Sequence, residues 1–319
     1  MIVRHFFWRL ILGFLGFTLV AACNYHSTQD ISLLFKPPVA ECRQVKHIMG
    51  ETCVPIHPQR VITLSLSTLG NVLALGVKPI ATTNEVHQGE KSLTLLQGKT
   101  EGIKLIGLSQ PNLEATLLLK PDLIIGVDWF KPIYPILSKI APTVLGELNY
   151  STWEKHLTFV AEVLGKQEAE QALWKRYYQR IERLKQALGN RYQDKKISFI
   201  YVGRDRIHID ARNSYAGSII SDAILQRPVS QNIDAPYGAS PISLEELEKV
   251  DGDILFVTTF SNNGNEFLKK QQQEPLWKTL KAVRENRVYY VDFTSWAATN
   301  MLGTDAVIDD LFKYLVNTP

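Results

Sequence analysis

From Val61 onward, apolar runs of strand length alternate with stretches of helical length. Val61 to Leu66 reads as a strand, Thr68 to Leu75 as a short helix stopped at Gly76, and Pro79 to Thr82 as a second strand. Leu123 to Val127, the helix Tyr134 to Ile140 and the strand Pro142 to Leu145 continue the alternation. Trp153 to about Leu188 is different: it is rich in Ala, Glu, Gln, Lys, Arg and Leu and broken only near Gly165-Lys166. Leu173, Tyr177, Ile181, Leu184 and Leu188 keep helical spacing there, which predicts a long helix with one packed face. Strand-like runs then resume at Ile197 to Val202, with Ile207 to Ile209 as hairpin mate. Helices follow at Ser218 to Leu225 and Leu276 to Val283, a strand at Arg287 to Val291 and a last helix at Ala306 to Leu315. The expected fold class is α/β, two doubly wound lobes joined by a long rigid helix, with a ligand cleft between them.

The two lobes share a device. Asn112-Leu113-Glu114, then seven residues, then Asp122-Leu123-Ile124-Ile125 is echoed by Ser243-Leu244-Glu245, seven residues, then Asp253-Ile254-Leu255-Phe256. With Asn112 and Ser243 as N-caps, Glu114 and Glu245 each fall at the second helical position. Ser243 and Glu246 have capping-box spacing, which leaves Glu245 spare. Composition alone lets both acids serve merely to complement a helix dipole, at about 0.3–1 kcal/mol each.

The 319 residues, 45% of them hydrophobic, suffice for two cores. Arg4 and Arg9 precede the apolar run Leu10 to Val20 and Ala21-Ala22-Cys23, the layout of a secretion signal; a retained signal anchor is the other reading. Removing the signal lowers the net charge of +3 to about +1, too balanced for a nucleic-acid surface. Leu19 to Cys23 resembles the bacterial lipoprotein box, which implies lipidation of Cys23 and a chain held at the cell envelope, on the periplasmic face of a membrane, by a lipid anchor. The expected organisation is 1–22 signal peptide, 23–40 tether, 41–152 first lobe, 153–190 connecting helical segment and 191–319 second lobe. In an oxidising compartment Cys42 and Cys53 are the remaining thiols and are expected to pair across a short hairpin. A zinc site from Cys42, His47, Cys53 and His57 is the alternative, though it lacks paired ligand spacing.

No Gly-x-Ser-x-Gly elbow, Walker loop, His-Glu-x-x-His or dinucleotide fingerprint occurs, and the histidines are not paired on any helix face, so no catalytic residue and no metal site is expected. What remains are aromatic and cationic residues at the carboxyl ends of strands, where ligands bind in open α/β sheets. Trp129 follows the strand Leu123 to Val127; Tyr201 and Arg204 end the first strand of the second lobe, and Trp296 follows the last strand. An arginine fork and broad aromatic faces suit a bulky, oxygen-rich ligand. Packing at a loop base accounts equally well for either tryptophan, and a solvated turn for Arg204; Arg206 is the weaker alternative to it.

Several elements in order carry a family resemblance: Gly50-Glu51-Thr52 with Pro58-Gln59-Arg60-Val61; Leu73-Ala74-Leu75-Gly76-Val77-Lys78-Pro79-Ile80; Pro111 to Glu114 with Leu119 to Ile124; Ile140-Ala141-Pro142-Thr143-Val144; and Arg287 to Asp292. Together they resemble the substrate-binding lipoproteins of bacterial iron–siderophore and vitamin B12 ABC importers, and the hairpin motif and Ile-Ala-Pro-Thr-Val lean towards the ferric siderophore binders. The resemblance implies a binder without a cofactor of its own, which takes a ferric siderophore as transported ligand and passes it to a permease dimer. It also implies that Glu114 and Glu245 dock into arginine pockets on the two permease halves. Two departures stand out: Leu69-Gly70 replaces the Thr-Glu of many relatives, and Tyr201, with Arg204 three residues on, stands where hydroxamate binders often carry arginine. An envelope enzyme acting on a small ester or phosphate, and a lipid-tethered receptor feeding a sensor, are the competing functions.

Overall fold

A computed structural model describes residues 41–84, 98–259 and 261–317. The signal peptide, Cys23 and the whole tether therefore lie outside the described residues. The first element is a hairpin, β1 (Cys42–His47) with β2 (Gly50–Pro55), paired so that His47 faces Gly50. Gly50 has φ +125°, a backbone that L side chains rarely adopt. Cys42 and Cys53 form a disulfide across this hairpin, Cα to Cα 5.4 Å, so the zinc reading of these cysteines is overturned.

The first lobe is a five-stranded sheet in the order β5-β4-β3-β6-β7, built from β3 (Val61–Thr63), β4 (Ala81–Asn84), β5 (Lys104–Leu108), β6 (Leu123–Val127) and β7 (Thr143–Gly146). All neighbouring strands are parallel. Helix α1 (Leu66–Ala74) follows β3, α2 (Leu113–Leu118) follows β5, and α3 (Tyr134–Ile140) follows β6 after a 3₁₀ turn, Asp128–Ile133. Every residue of β6 is buried because helices or loops cover both faces of a parallel sheet.

The second lobe repeats this plan in the order β10-β9-β8-β11-β12, from β8 (Ile197–Val202), β9 (Ile207–Asp210), β10 (Ala239–Ile242), β11 (Ile254–Thr259) and β12 (Val288–Tyr290). Here β9 runs antiparallel to both β8 and β10, so β10 is again parallel to β8. Thus β6 and β11, the strands of the sequence echo, take the same place beside the central strand of each sheet. The echoed aspartates do the same work. Asp122 accepts the backbone N–H groups of Gln59 and Arg60 at 2.7 and 2.9 Å, and Asp253 that of Lys196 at 2.8 Å, each fixing the residues just before a central strand.

Two helices join the lobes, α4 (Trp153–Leu164) and the 22-residue α5 (Gln167–Leu188), separated by left-handed Gly165. At 1.5 Å per residue α5 is about 33 Å long. Its buried Tyr177, Ile181, Leu184 and Leu188 belong to a core that includes Leu123 and Ile125 of the first sheet and Phe199 and Phe256 of the second. The lobes therefore share one apolar core across the connector. Helix α6 (Tyr215–Asp222) receives the Tyr177 hydroxyl on Asp222 at 2.7 Å. Beyond β12 the chain turns through α10 (Phe293–Trp296) into α11 (Met301–Leu311), which α5 grips through Arg180 Nη1 to Asp305 at 2.6 Å. Three short helices precede β12: α7 (Asn262–Gln271), α8 (Pro275–Thr279) and α9 (Lys281–Arg284). The helix expected at Leu276 to Val283 is thus two pieces, broken at Leu280, whose ψ of 134° leaves the helical region.

Candidate functional site

The carboxyl ends of the two sheets converge. α1 begins where β3 ends, capped by Ser65, whose Oγ accepts from Thr68 N at 3.0 Å. Its first turns meet the segment that follows α10: Ser67 Oγ donates to Ala298 O at 3.2 Å, and Asn71 Oδ1 accepts from Met301 N at 3.0 Å. Tyr150, at the exit of the first lobe, lies 6.1 Å ring to ring from Tyr201 at the end of β8. Ser151 Oγ donates to Pro236 O of the second lobe at 3.4 Å.

On the second-lobe side Tyr201 is the centre of an aromatic shelf. It stacks on His208 at 4.6 Å with the rings 5° from parallel, and Phe293 stands edge-on at 6.4 Å. The pairing follows from the β8–β9 register, which sets Tyr201 opposite His208. Burial, with Asp210 nearby, pushes the Tyr201 phenol well above the usual tyrosine range. Burial, reinforced by the Arg206 charge, lowers the His208 imidazole. Arg204 projects from the hairpin tip, exposed. Arg206 is instead held by Asp205 at 3.2 Å, so Arg204 is the better placed cation of the two. On the first-lobe side Trp129 sits in the 3₁₀ turn after β6, 58% exposed.

Trp296 is not part of this shelf. It is 1% exposed, its ring lies 4.9 Å from Phe199 and 4.7 Å from Phe256, and its indole N–H donates to Asp310 at 2.8 Å. The physical reason is the turn at Asp292, which accepts from Thr294 N and folds α10 inward, so the tryptophan completes the core between α11 and β11. Sequence reasoning also passed over His208, Tyr150 and Phe293. His208 was within reach of it: a hairpin turning at Gly203 to Arg206 places residue 208 across from residue 201.

The paired acids occupy matching rims. Asn112 caps α2, its Oδ1 accepting from Ala115 N at 2.9 Å, and Glu114 is exposed at the second position. In the second lobe Ser243 starts a 3₁₀ helix, Leu244–Val250, rather than an α-helix; the capping box forms, with Glu246 Oε2 accepting from Ser243 N at 3.0 Å. Glu245 is likewise exposed but not idle: hydrogen bonds from its own backbone N–H and the Ser243 hydroxyl hold its carboxyl below the usual range. Since β5 and β10 both run parallel to their central strands, both acids lie at the carboxyl edge of a sheet, the edge that faces the other lobe. Among the described residues no group of three His, Cys, Asp or Glu side chains could hold a metal ion.

The periplasmic binding protein family model matches residues 61–294, from the first strand of one lobe into the short helix α10 of the other. The chain belongs to the periplasmic binding protein family. Among its family relatives is the probable siderophore-binding lipoprotein YfiY of Bacillus subtilis, 29% identical over 97% of this chain and 98% of the relative. The Fe(3+)-citrate-binding protein YfmC of the same organism is 30% identical over 94% of this chain and 93% of its own. Staphylococcus aureus SirA complexed with staphyloferrin B, a solved structure, superimposes with a TM-score of 0.76 at 27% identity, over 86% of this chain and 98% of that one. The match runs through both lobes and the connector, so the family's α/β two-lobe architecture is that of this chain.

Proposed function

We propose that this chain is the substrate-binding lipoprotein of an ABC importer, lipid-anchored through Cys23, that captures a ferric siderophore and delivers it to a permease dimer. The observation that carries the reading is the convergence of two sheet edges, one bearing an aromatic shelf with the exposed Arg204, the other Trp129. Arg204 would meet the oxygens of an iron chelate, and Tyr201 and Trp129 would cover its organic faces. The relatives support the ligand class, since their names speak of siderophores and of ferric citrate. Glu114 and Glu245 would dock on the permease. No chemistry is performed on the ligand; what this protein supplies is shape, charge and delivery.

The test is a fluorescence titration of the lipid-free protein with ferric citrate, ferric hydroxamates, ferric catecholates, haem and cobalamin. Saturable quenching by one ferric chelate, lost in Trp129→Phe/Arg204→Ala, supports the reading. Saturable binding of haem or cobalamin alone would overturn it.

A further inference from the structure

The edge of the first sheet that faces away from the cleft is basic. Strands β3 to β7 are all parallel, so the residues leading into them line one amino edge. Those residues include Arg60, Lys78, Lys99, Lys104, Lys120 and Lys139, all exposed, against two acids, Glu101 and Asp122. Asp122 is already taken up by the backbone N–H groups of Gln59 and Arg60. Helix α2 runs to this edge from its cap at Asn112 and ends there with Leu117 58% and Leu118 73% exposed. Arg60 fixes that end, its Nε donating to Leu119 O at 3.2 Å and to Lys120 O at 3.0 Å. The described segments at the opposite, carboxyl edge of the same sheet have the reverse sign, with Glu114, Asp128 and Glu147 against Lys131.

The chain's own tether arrives at this edge. At the hairpin tip Ile48 N donates to Leu145 O of β7 at 3.1 Å, while Thr52, further from the tip, donates to Thr143 O at 3.3 Å. The hairpin base at Cys42 and Pro55 therefore lies on the amino side of the sheet, and there the tether joins. Residues 24–41 separate Cys42 from Cys23, a reach of at most roughly 60 Å. We infer that the amino edge of the first lobe is a membrane-resting face: its cations meet the anionic headgroups of the leaflet that holds the Cys23 lipid, and Leu117 and Leu118 enter the headgroup layer. Basic residues around protruding leucines are the chemistry of interfacial binding, and a lipid anchor with a basic patch holds more firmly than either alone. A protein partner fits less well, because protein interfaces are depleted in lysine and five of these six cations are lysines. With this face on the leaflet the carboxyl edge points away from the bilayer, its cleft open to arriving ligand, and lifting off must precede docking. The inference rests on the lipid anchor and the docking role proposed above.

Photo-crosslinking to lipid tests this. The full lipid-anchored chain carries benzoylphenylalanine in place of Leu118 or, as a control at the carboxyl end of β7, of Glu147. It is reconstituted in vesicles of phosphatidylglycerol with phosphatidylcholine, or of phosphatidylcholine alone, and phospholipid adducts are quantified by mass spectrometry after irradiation. In the anionic vesicles position 118 should capture phospholipid about tenfold more than position 147. Capture should fall to the control level in phosphatidylcholine alone, and in anionic vesicles when Lys78→Glu/Lys139→Glu is added. Equal capture at the two positions, or capture indifferent to lipid charge and to the two lysines, would overturn the inference and leave the anchor and the ligand site standing. The same photoprobe at position 118 in whole cells should also find phospholipid; adducts with a protein or an anionic wall polymer in its place count against the membrane. A chain recovered from cells with Cys23 unacylated would overturn the anchor reading and the inference with it.

Discussion

His156 on α4 is wholly enclosed and pairs its Nε2 with Thr68 Oγ1 on α1 at 3.0 Å. Burial drops its imidazole from 6.5 to about 4. A histidine kept neutral in the fold contributes stability that is present above pH 6.5 and is lost as pH falls towards 4, up to roughly 3 kcal/mol. His156→Gln should therefore flatten the acid limb of stability against pH in denaturant melts; a limb as steep as wild type would refute the assignment. Asp210 works in the opposite sense: burial raises its carboxyl to about 6 against the lowering pull of the Arg227 charge, so its contribution falls as pH climbs from about 4 to 6. Trp296 and Trp129 make a contrasting pair. Trp296→Ala should cost about 3–5 kcal/mol of folding stability while the folded fraction keeps its ligand affinity. Trp129→Ala should leave the melting temperature near wild type and weaken ligand by about 1–3 kcal/mol, roughly ten- to a hundredfold. On the proposed docking role, Glu114→Lys and Glu245→Lys would exchange attraction for repulsion at the permease, worth several kcal/mol, so uptake should fall while affinity in solution holds. Normal uptake in the double variant would return both acids to a helix-dipole role.

Among elements, α1 and the start of α11 meet in close contact across the lobes. A Cβ built on Gly70 would lie 2.4 Å from Asn300 Cγ. Asn300 has no room to yield, because its side chain caps α11 through Gly303 N at 3.1 Å and donates to Ala298 O at 2.8 Å. That close approach is one only glycine at position 70 allows without displacing Asn300. Gly70→Ala should wedge α1 from α11, cost about 1–3 kcal/mol as overpacking does, and weaken ligand binding at a distance from the cleft. Ligand affinity and stability both equal to wild type would show that the contact gives way freely. The edge strands β5 and β10 were not legible in the sequence. β5 shows the pattern of a partly exposed edge, and β10 carries Pro241, which reads as loop and is tolerated only where no ladder donor is needed.

For the whole molecule, the shared core and the paired helices α4 and α5 leave little freedom for one lobe to swing from the other. A long helix does not bend at a hinge as a pair of strands does. Scattering curves of the free and loaded protein should nearly superimpose, with a change in radius of gyration below about 1 Å; a clear contraction of several ångströms would point to a looser joint.

The hydrophobic periods determined the alternation of strands and helices, and the echo determined that two lobes share a plan, since both signals are local and repeat along the chain. Caps and the short disulfide hairpin were legible for the same reason: Asn112, Ser243, Cys42 and Cys53 act on residues close by in sequence. What the tertiary structure alone decided depends on residues far apart. Trp296 looked the same in sequence as Trp129, and only the inward fold of α10 over Phe199 and Phe256 separated a core ring from an exposed one. The closeness of Gly70 to Asn300, and of Tyr150 to Tyr201, arises where the two lobes meet, and no local pattern encodes which surfaces two separately built lobes will bring together.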